Sequence, residues 1–384
     1  MDRHSLIPRI DWRKKVEAWG LLFHTTPDGS LEGKPYWNEE ACYVFTAAEI
    51  DVLEKATNEL HARCLDAVQF VIDNDRFDEL KIPAEAVPHI KWAWEAEPPS
   101  IYGRFDFAFD GKNAPKLLEY NADTPTSLLE AAVVQWHWLQ ERFPKADQFN
   151  SIWEGFVEYW NWCKEHKFLK GDIVHFAHTK NIEDLMTATM IRDTAIEAGL
   201  QTEGLHMSEI GWDSNINAFV DMKNRPIKTI FKLYPWEWLL DDAFGMPALK
   251  TYRDVQWIEP IWKMILSNKG ILAILWEMFP GHPNLLPAYL DRSRDLNEYV
   301  KKPLLSREGA NITIKQGGKL TRTDGEYGEE GYVFQQFVEL PSYLGNRPVL
   351  GCWVIDAVAR GMGVRESDSL VTDNFSRFVP HYFE

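Results

Sequence analysis

The chain has 384 residues, of which 45% are hydrophobic and 26% are charged, and this composition is ordinary for a soluble globular protein. Its length is ample for a large buried core, formed either as one multi-lobed unit or as a few domains. The formal net charge of −17 argues against a nucleic-acid or anionic-membrane partner, and it is compatible with a cationic ligand such as an amine.

The cysteines and the N-terminus indicate a cytoplasmic protein. Cys42, Cys64, Cys163 and Cys352 match no zinc spacing and no CxxC motif, so we expect plain packing roles in a reducing compartment. The opening sequence MDRHSLIPRIDWRKKVEAWG lacks the apolar segment of a signal peptide. The longest apolar stretches, such as GILAILWEMF, are too short to span a bilayer. We therefore expect a soluble protein without a membrane partner.

The first clear pattern along the chain is that of a long helix. The segment TAAEIDVLEKATNELHARCLDAVQFVID has apolar residues at helical spacing. Thr46, followed by Glu49 three residues later, has the spacing of a capping box, which predicts where this helix begins. The prolines of PAEAVPHIKWAWEAEPPS then interrupt the pattern.

Two alternating segments on either side of DGKNAP predict a β-hairpin. In RFDFAFD the three phenylalanines share one side of a strand, and Arg104 and Asp106 lie on the other side. If DGKNAP is the loop, Asp106 falls opposite Glu119 on the partner strand. The same register places Arg104 opposite Asn121. Because two carboxylates directly across a ladder repel each other by up to about 1 kcal/mol, something is expected to offset this repulsion.

A hard divalent cation fits the polar face of this hairpin. Mg²⁺ takes oxygen ligands, often one or two carboxylates completed by phosphate and water, and Asp106, Glu119 and Asn121 supply such oxygens. Arg104 beside them suits an anionic group bound to the same metal. Spacing alone leaves two alternatives open: a solvated polar face without a ligand, and a glycosidase-like acid pair. The 17 tryptophans keep the second alternative open, because such rings stack on sugars.

The remaining segments predict an α+β fold with an α/β segment. Ser127 and Glu130 have capping-box spacing before an apolar run, so we expect a helix whose N-terminal N–H groups face the same anion. From Gly171 the segments GDIVHFAH, NIEDLMTATMIRDTAIEAG and LQTEGLHM have the patterns of a strand, a helix and a strand, which is a βαβ unit of a parallel sheet. The last part of the chain is β-rich.

No familiar phosphate-binding loop occurs in the sequence. There is no GxxxxGK[ST] motif, and GMGVRE at Gly361 lacks the third glycine of a dinucleotide fingerprint. A different candidate is the hairpin KKPLLSREGANITIK, with Lys302 near its start and Gly309 at its tip. Such a loop can fold over phosphates with its backbone N–H groups and a lysine point charge. The strand YVFQQFVEL that follows can offer backbone groups to an adenine edge.

The order of these motifs resembles the synthetase domain of the glutathionylspermidine synthase family. The similarity runs from about Trp12 to the end of the chain, and its most specific parts are EYNAD and EPIWKMILSNKGILAILWEMFP. The other segments that carry it are GRFDFAFD, FKLYPWEW, KKPLLSREGANI, YVFQQFVELP and VRESDSL. The resemblance implies a permuted ATP-grasp fold with the nucleotide between two β-rich lobes, and an ATP-dependent acid–amine ligase.

The resemblance also implies roles for individual residues. The positions similar to the Mg²⁺ ligands are Asp106, Glu119 and Asn121. The positions similar to the ATP-binding residues are Lys269, Lys302, Gly309, Gln335 and Gln336. The positions similar to the cationic residues around the transferred phosphoryl group are Arg104 and Arg365. The positions that resemble a substrate pocket are Ser127, Glu183, Asp184, Trp236 and Glu237.

The substrate-pocket positions have alternatives, and the sequence departs from the family's bifunctional members. Core packing is the alternative for Trp236, and the first turn of a solvated helix is the alternative for Glu183 and Asp184. The bifunctional members carry an extra N-terminal amidase domain, and we interpret this chain as a stand-alone synthetase. TPTSLL also stands where those members resemble SASCHT, so we expect an altered glutathione pocket.

We predict one catalytic unit over residues 1–384, with a βαβ-like substrate lobe at 171–225 and a β-rich nucleotide-binding lobe at 295–384. The expected reaction has two steps. A substrate carboxylate attacks the γ-phosphate of ATP to give an acyl phosphate, and an amine then displaces phosphate to form an amide. Phosphoryl transfer requires charge neutralisation more than acid–base chemistry. Mg²⁺, Lys269, Lys302 and the two arginines are expected to supply it.

The family suggests a peptide-like acid such as glutathione and a polyamine-like amine as substrates. The acidic residues near Glu183 can hold the amine as an ammonium, and no residue is assigned as the base that deprotonates it. Two other functions remain open. One is a glycoside hydrolase that uses the Asp106/Glu119 pair, and the other is an ATP-binding protein without ligase activity.

Overall fold

A computed structural model describes residues 1–26, 34–290, 292–373 and 376–384 of the chain. The α-helices of this part are α1 (Trp12–Ala18), α2 (Ala47–Asp73), α3 (Val87–Ala96), α4 (Gln135–Arg142), α5 (Ile152–Glu165), α6 (Ile182–Glu197), α7 (Trp236–Asp241), α8 (Gly245–Lys250), α9 (Lys263–Ser267) and α10 (Ile271–Met278). Short 3₁₀ turns lie at Arg76–Leu80 and Met207–Glu209, and a π-helical turn lies at Glu130–Val134. Among the described helices, none combines the length and apolar character needed to cross a membrane.

The strands follow the same numbering along the chain. They are β1 (Asp2–Ser5), β2 (Thr25–Thr26), β3 (Lys34–Pro35), β4 (Ala41–Phe45), β5 (Tyr102–Ala108), β6 (Lys116–Asn121), β7 (Ile173–His178), β8 (Gln201–His206), β9 (Gly211–Asp213), β10 (Ala218–Val220), β11 (Thr229–Leu233), β12 (Gln256–Ile258), β13 (Ala288–Leu290), β14 (Tyr299–Pro303), β15 (Thr313–Gln316), β16 (Lys319–Arg322), β17 (Tyr332–Gln336), β18 (Arg347–Ile355), β19 (Val358–Ser367), β20 (Arg377–Val379) and β21 (His381–Phe383).

Three larger sheets organise the fold. An antiparallel sheet has the order β20-β19-β18-β5-β6, and a second antiparallel sheet has the order β13-β17-β14-β15-β16. A third sheet, β12-β11-β7-β8, is parallel, and α6 connects β7 to β8. The predicted βαβ unit is therefore confirmed. Two of this sheet's strands, β11 and β12, come from beyond residue 225, so the parallel sheet extends past the segment 171–225.

The C-terminal segment 295–384 is β-rich, as the sequence predicts, but its strands join three different sheets. β14 to β17 form most of one antiparallel sheet, whereas β18 to β20 extend the hairpin β5–β6. β21 pairs in parallel with β4, near the N-terminus of the chain. Since the last strands are tied to the first part of the chain, the two ends of the sequence belong to one folded body.

Helix α2 begins as the sequence predicts. The Thr46 hydroxyl accepts the Glu49 N–H, and the Glu49 carboxylate accepts the Thr46 N–H, so the capping box is confirmed. The buried stripe of α2 includes Leu53 and Leu60 and joins the larger of two hydrophobic clusters. Phe105 and Phe107 of β5 pack in the same cluster. Truncating one such buried side chain to alanine typically costs about 2–5 kcal/mol, so this packing holds the hairpin in place.

The predicted capping box at Ser127 and Glu130 is wrong. The helical segment begins at residue 128 and passes into the π-helical turn Glu130–Val134. The Glu130 carboxylate accepts a hydrogen bond from the Tyr36 hydroxyl, and the Ser127 hydroxyl lies 3.0 Å from that same hydroxyl. Both side chains therefore serve a tertiary contact and leave the helix end uncapped by either of them.

Candidate active site

The hairpin β5–β6 has the predicted register. Asp106 pairs with Glu119, and Arg104 pairs with Asn121, with an irregularity directly after Asp106. Phe105 and Phe107 point to the opposite side, where both are fully buried. Because side chains alternate along a strand, burying the phenylalanines fixes the polar residues on the outer face of the hairpin. This face forms one wall of the candidate site.

Arg104 is held rigidly beside Asp106. Its Nε donates to Asp106 Oδ1 at 2.6 Å and its Nη2 donates to Oδ2 at 3.0 Å, which makes a bidentate ion pair. The third nitrogen, Nη1, donates to the Thr126 carbonyl at 2.7 Å. Burial raises the pKa of Asp106, and the Arg104 guanidinium opposes that shift. Arg104 is thus anchored where an anionic group can approach it.

Glu119 lies among cations and stays ionised. Its Oε2 is 3.2 Å from Lys269 Nζ. Burial acts to raise the pKa of Glu119, but Lys269, Lys302 and Arg104 together bring it down to about 2. Lys302 is buried behind it and donates to the Leu118 carbonyl and to Gln335 Oε1, each at 2.7 Å. Burial lowers the pKa of Lys302 to about 8, against the attraction of Glu119.

The predicted metal ligands suit a cation that arrives with a phosphate. Asp106, Glu119 and Asn121 offer carboxylate and amide oxygens on one face, and Asn121 Oδ1 also accepts the Thr124 N–H at 3.2 Å. Within the described residues, no group of three His, Cys, Asp or Glu side chains could hold a metal ion. Two carboxylates and one amide therefore form an incomplete shell, which fits Mg²⁺ that brings phosphate and water oxygens with it.

An apolar cavity opens between the two antiparallel sheets and encloses about 840 Å³, part of it open to solvent. Its apolar wall consists of Leu118, Val300, Ile312, Ile314, Phe337, Val338, Leu340, Val349, Leu370 and Val371. Gln335 and Gln336 lie at the same wall, and Gln336 N–H is bonded to the Pro287 carbonyl at 2.7 Å. A flat aromatic base is the kind of group that such a slot between two sheets accommodates.

A polar cavity of about 1140 Å³ adjoins the apolar one. Its charged lining residues include Arg104, Glu183, Asp184, Glu237 and Arg365. The wall that the two cavities share consists of Asp106, Glu119, Lys269, Ser306, Arg307, Glu308, Gly309 and Thr372. Two of the predicted metal ligands, Asp106 and Glu119, and the predicted phosphate lysine Lys269 thus lie at the junction of the two cavities, whereas Asn121 lines only the polar cavity. A molecule that reaches from one cavity into the other has to pass them.

The loop between β14 and β15 covers this junction. Gly309 has φ +70, and a Cβ added there would stand 2.6 Å from Val371 Cγ1 and 2.7 Å from the Thr372 carbonyl oxygen. A glycine is therefore required both for its backbone conformation and for the close approach of the two segments. Gly309 thus lies in the segment between β14 and β15 and lines both cavities, and its role over a phosphate stays a prediction.

Sequence reasoning missed Arg307, which lines both cavities. Its Nη2 donates to Thr124 Oγ1 at 2.9 Å, and its guanidinium lies 4.9 Å from the centre of the Trp238 ring. The signal was in the sequence, because Arg307 stands two residues before Gly309 in SREGAN. An arginine in a loop that reaches over a phosphate site is a candidate for binding the phosphate.

Arg365, from β19, also lines the polar cavity. Its Nη2 donates to the Asp373 carbonyl at 2.8 Å, and its Nη1 lies 3.4 Å from Ser127 Oγ as a weak donor. The guanidinium also lies 5.4 Å from the centre of the Tyr36 ring. Carbonyl and hydroxyl acceptors hold this guanidinium at the wall of the polar cavity, where it can attract an anionic substrate.

Three of the acidic residues that line the polar cavity come from α6 and α7. Asn181 caps α6 by accepting the Glu183 N–H at 2.9 Å, and the Thr179 hydroxyl donates to Asp184. Burial raises the pKa of Glu183 to about 7, with a further contribution from the negative charge of Glu130. Burial likewise raises the pKa of Glu237, and Arg307 opposes the shift. This side of the cavity is suited to a cationic ligand.

Trp236 packs in the core and lines neither cavity. Its indole Nε1 donates to the Glu259 carbonyl at 2.9 Å, and its backbone N–H donates to Asp123 Oδ2 at 3.1 Å. Lys232, which is also buried, donates to the other oxygen of Asp123 at 2.8 Å. The side chain of Trp236 thus follows the packing alternative, while its neighbour Glu237 faces the polar cavity.

Comparison with known proteins identifies the family. The profile of the glutathionylspermidine synthase preATP-grasp family matches residues 3–384. The chain belongs to this family. A Haemophilus influenzae protein with the provisional name acid–amine ligase is 43% identical over 98% of this chain and 97% of its own length. Trypanothione synthetase of Crithidia fasciculata is 29% identical over 84% of this chain. The bifunctional glutathionylspermidine synthetase/amidase of Escherichia coli is 28% identical over 88%.

The chain spans little more than half of the two longer relatives, 53% of the trypanothione synthetase and 58% of the bifunctional enzyme. Among solved structures, a glutathione-synthetase-like effector from Globodera pallida, in its apo form, matches with a TM-score of 0.59. The match covers 99% of this chain and 98% of that chain at 10% sequence identity. At this identity the likeness shows a shared mixed α/β fold with several sheets.

Proposed function

We propose that this member of the glutathionylspermidine synthase family is an ATP-dependent acid–amine ligase that forms an amide bond through an acyl phosphate. The observation that carries the proposal is the junction of an apolar and a polar cavity at Asp106, Glu119 and Lys269. A nucleotide with its base in the apolar cavity has its terminal phosphate at this junction. The family match and the relative named as an acid–amine ligase support the same reaction.

We assign the nucleotide subsite to the space between the two antiparallel sheets, as in a permuted ATP-grasp arrangement. Gln335 and Gln336 lie beside the base, and Lys302 and Lys269 lie along the phosphates. The loop around Gly309 closes over them. In this assignment the segment 295–384 supplies most of the nucleotide-binding wall and the segment 171–225 supplies part of the substrate wall.

Mg²⁺ bound by Asp106, Glu119 and Asn121 would neutralise charge on the phosphate oxygens during transfer. Arg104 is fixed 2.6 Å from Asp106 and points its remaining surface at the polar cavity, so it orients the substrate carboxylate towards the γ-phosphate. Arg307 and Arg365 approach from the loop and from β19 and stabilise the negative charge of the transferred group. No serine or cysteine nucleophile is required.

The substrates that fit the polar cavity are a peptide-like acid and a polyamine-like amine. Glu183, Asp184 and Glu237 attract an ammonium, and Arg104 and Arg365 attract a carboxylate. Glutathione and spermidine are the first pair to try, because relatives are named for their conjugate. TPTSLL lies beside this cavity through Thr124 and Thr126, so we place the altered part of the acid pocket there. The buried thiols of the four cysteines suit a cytoplasmic compartment.

The geometry does not favour the glycoside hydrolase alternative. A glycosidase needs one carboxyl group that is protonated near neutral pH. The pKa of Glu119 is lowered to about 2 by its cations, and Asp106 is held in a bidentate pair by Arg104. Glu119 is therefore not a suitable acid, and the Arg104 guanidinium occupies both oxygens of Asp106.

The direct experiment is mass spectrometry of the purified protein with MgATP, a panel of acids that includes glutathione, and a panel of polyamines that includes spermidine. We expect ADP together with a product whose mass is that of one acid plus one amine minus water. MgATP that stabilises the protein against heat but yields no product with any pair would favour an ATP-binding protein without ligase activity. The absence of any nucleotide effect would contradict the proposal.

A further inference from the structure

A buried chain of hydrogen bonds begins beside the polar cavity. Ser127 lines a small recess together with Arg104, Asp106, Arg365 and Thr372, which also line the polar cavity. Behind Ser127, its hydroxyl lies 3.0 Å from the hydroxyl of Tyr36. The Tyr36 hydroxyl in turn donates to Glu130 Oε1 at 2.7 Å. Tyr36 and Glu130 are only 1% and 2% exposed, so this chain ends inside the protein.

The direction of these hydrogen bonds is fixed when Glu130 is ionised. A carboxylate only accepts, so the Tyr36 hydrogen points to Glu130. The Ser127 hydrogen must then point to the Tyr36 oxygen. The Ser127 oxygen receives Arg365 Nη1 at 3.4 Å and has acceptor capacity left on the side of the recess. Every hydrogen in the chain therefore points inward, away from the cavity.

The local backbone is unusual at both ends of this series of hydrogen bonds, at Ser127 and at Glu130. Ser127 has φ +65, a left-handed conformation that non-glycine residues rarely adopt. Glu130 opens a π-helical turn, a feature that is rare and frequent at functional sites. Backbone strain of this kind persists where the surrounding structure imposes it. Here both distortions place a side chain against Tyr36.

We infer that Ser127, Tyr36 and Glu130 form a proton relay that accepts a proton from the ammonium group of the amine substrate. The inference rests on the proposed ligase activity. The ammonium gives one proton to Ser127, Ser127 gives its own to Tyr36, and Tyr36 gives its own to the Glu130 carboxylate. A neutral amine and a protonated Glu130 result.

The remaining steps balance the reaction. The amine lone pair forms the C–N bond at the carbonyl carbon of the acyl phosphate, and the C–O bond to phosphate breaks. Phosphate leaves with the electron pair of that bond and takes up the second nitrogen proton. Glu130 returns its proton to solvent after the amide has left, because the relay then opens onto water.

The charges around Glu130 are consistent with a proton acceptor. Burial raises the pKa of Glu130, while the hydrogen bond from Tyr36 and the charges of Arg365 and Arg104 lower it, and the net direction is upward. Glu183 also faces this cluster from α6, and its pKa is raised by burial and by Glu130. Because burial disfavours the ionised form of Glu130 more than the two arginines favour it, its carboxylate can take up a proton.

The test compares two nucleophiles in Glu130→Gln and Tyr36→Phe, with MgATP and glutathione as the acid. Hydroxylamine is largely neutral near neutral pH, whereas an alkylammonium such as that of spermidine has a pKa of about 10 and must lose a proton. We expect hydroxamate formation within about twofold of the unsubstituted protein, and amide formation with spermidine reduced by about 100-fold. The spermidine defect should shrink as the pH rises. Tyr159→Phe is the matched control, because Tyr159 is a buried tyrosine of the smaller hydrophobic cluster to which Tyr36 also belongs.

Equal losses with both nucleophiles would assign these residues a structural role, and unchanged rates with both would exclude the relay. If the unsubstituted protein forms neither product, the ligase proposal fails on its own, and the relay is tested by infrared titration of the carboxyl band that Glu130→Gln removes. The relay predicts that the pKa of Glu130 lies above the ordinary glutamate value. It predicts a still higher pKa of Glu130 in Tyr36→Phe, which lacks the hydrogen bond from the tyrosine hydroxyl. An ordinary glutamate pKa for Glu130 that is unchanged in Tyr36→Phe would overturn the relay.

Discussion

Asp106 and Glu119 are the same kind of group in two different environments. They face each other across the hairpin, but burial raises the pKa of Asp106, whereas Lys269, Lys302 and Arg104 lower that of Glu119 to about 2. Glu119 is therefore ionised at any working pH, as its proposed role of metal ligand requires. The Arg104 guanidinium opposes the rise in the pKa of Asp106. Arg104 thus both pairs with Asp106 and lines the polar cavity.

Replacing Glu119 by glutamine tests its role as a metal ligand. Glu119→Gln keeps the shape of the side chain and removes the charge, so we expect Mg²⁺-dependent ADP release to fall by about 100-fold while the protein stays folded. The control is Asp110→Asn in the hairpin loop, where the carboxylate bonds to neighbouring loop groups outside both cavities. Glu119→Gln with full activity would show that the hairpin binds no metal.

Arg307 is expected to act on the transferred phosphoryl group. Arg307→Met keeps most of the apolar stem over Trp238 and removes the charge, so we expect a loss of about 100-fold in ADP release with a small change in nucleotide affinity. Arg322→Met, at an exposed arginine of β16, is the matched control and should leave both quantities unchanged. Stopped-flow nucleotide binding and steady-state turnover separate the two quantities. A loss of nucleotide affinity without a further loss of turnover would mean that Arg307 binds ATP but does not act on the transferred phosphoryl group.

At the scale of elements, the sequence was most informative where the contacts are local. The hairpin β5–β6 follows from alternation and loop length, which together determine which residues face each other. The capping box of α2 is likewise local, with Thr46 and Glu49 three residues apart. In both cases the deciding partners lie within about twenty residues along the chain.

The prediction of a capping box at Ser127 and Glu130 was wrong because both side chains contact a residue that is distant in the sequence. Tyr36 stands 91 residues before Ser127 in the sequence, and its hydroxyl contacts both side chains. The spacing of Ser127 and Glu130 does not show that hydrogen bonds to Tyr36 replace those of a capping box. For the same reason the sequence could not decide whether Trp236 packs or binds, since the answer depends on Glu259 and Asp123.

The loop carrying Gly309 gives a prediction at this scale. Gly309→Ala brings a Cβ to 2.6 Å from Val371 Cγ1 and 2.7 Å from the Thr372 oxygen, so the loop must move away from the segment it touches. We expect weaker MgATP binding by calorimetry and turnover reduced by about tenfold or more.

Gly318→Ala is the matched control for this loop. Gly318 has φ +75, close to the +70 of Gly309, but nothing lies within 4 Å of its added Cβ. Gly318→Ala should therefore lose only the about 1–2 kcal/mol of stability that a side chain costs in the left-handed conformation, and its nucleotide binding should be unchanged. Equal MgATP affinity in both variants would mean that the Gly309 loop does not cover the phosphates.

At the scale of the whole molecule, the site exists only where distant segments meet. The walls of the two cavities come from the hairpin near residue 110, from α6 and α7, and from the strands after residue 295. Composition and periodicity cannot place such segments next to each other. The family resemblance supplied that placement, and the structure adds Arg307 and the buried contact of Tyr36 with Glu130.

Burial of carboxyl groups around the polar cavity predicts a pH dependence of stability. The pKa of Glu183 is raised from 4.5 to about 7 in the folded protein, so the folded state holds a proton that the unfolded state has released between these values. Folding stability from this group therefore falls as the pH rises from about 4.5 to about 7. Glu183→Gln removes the ionisation, so its stability relative to the unsubstituted protein should increase across this window. Urea unfolding at several pH values measures this, and a constant difference would contradict it.

Transfer of oxygen from the acid to phosphate tests the central claim most directly. With the glutathione carboxylates labelled with ¹⁸O, and with spermidine and MgATP, an acyl phosphate requires that one labelled oxygen leaves with the inorganic phosphate for each amide formed. We predict phosphate carrying one ¹⁸O, detected by mass spectrometry. Amide formed together with unlabelled phosphate would contradict the mechanism, and ATP hydrolysed to unlabelled phosphate without amide would contradict the ligase activity with this pair of substrates.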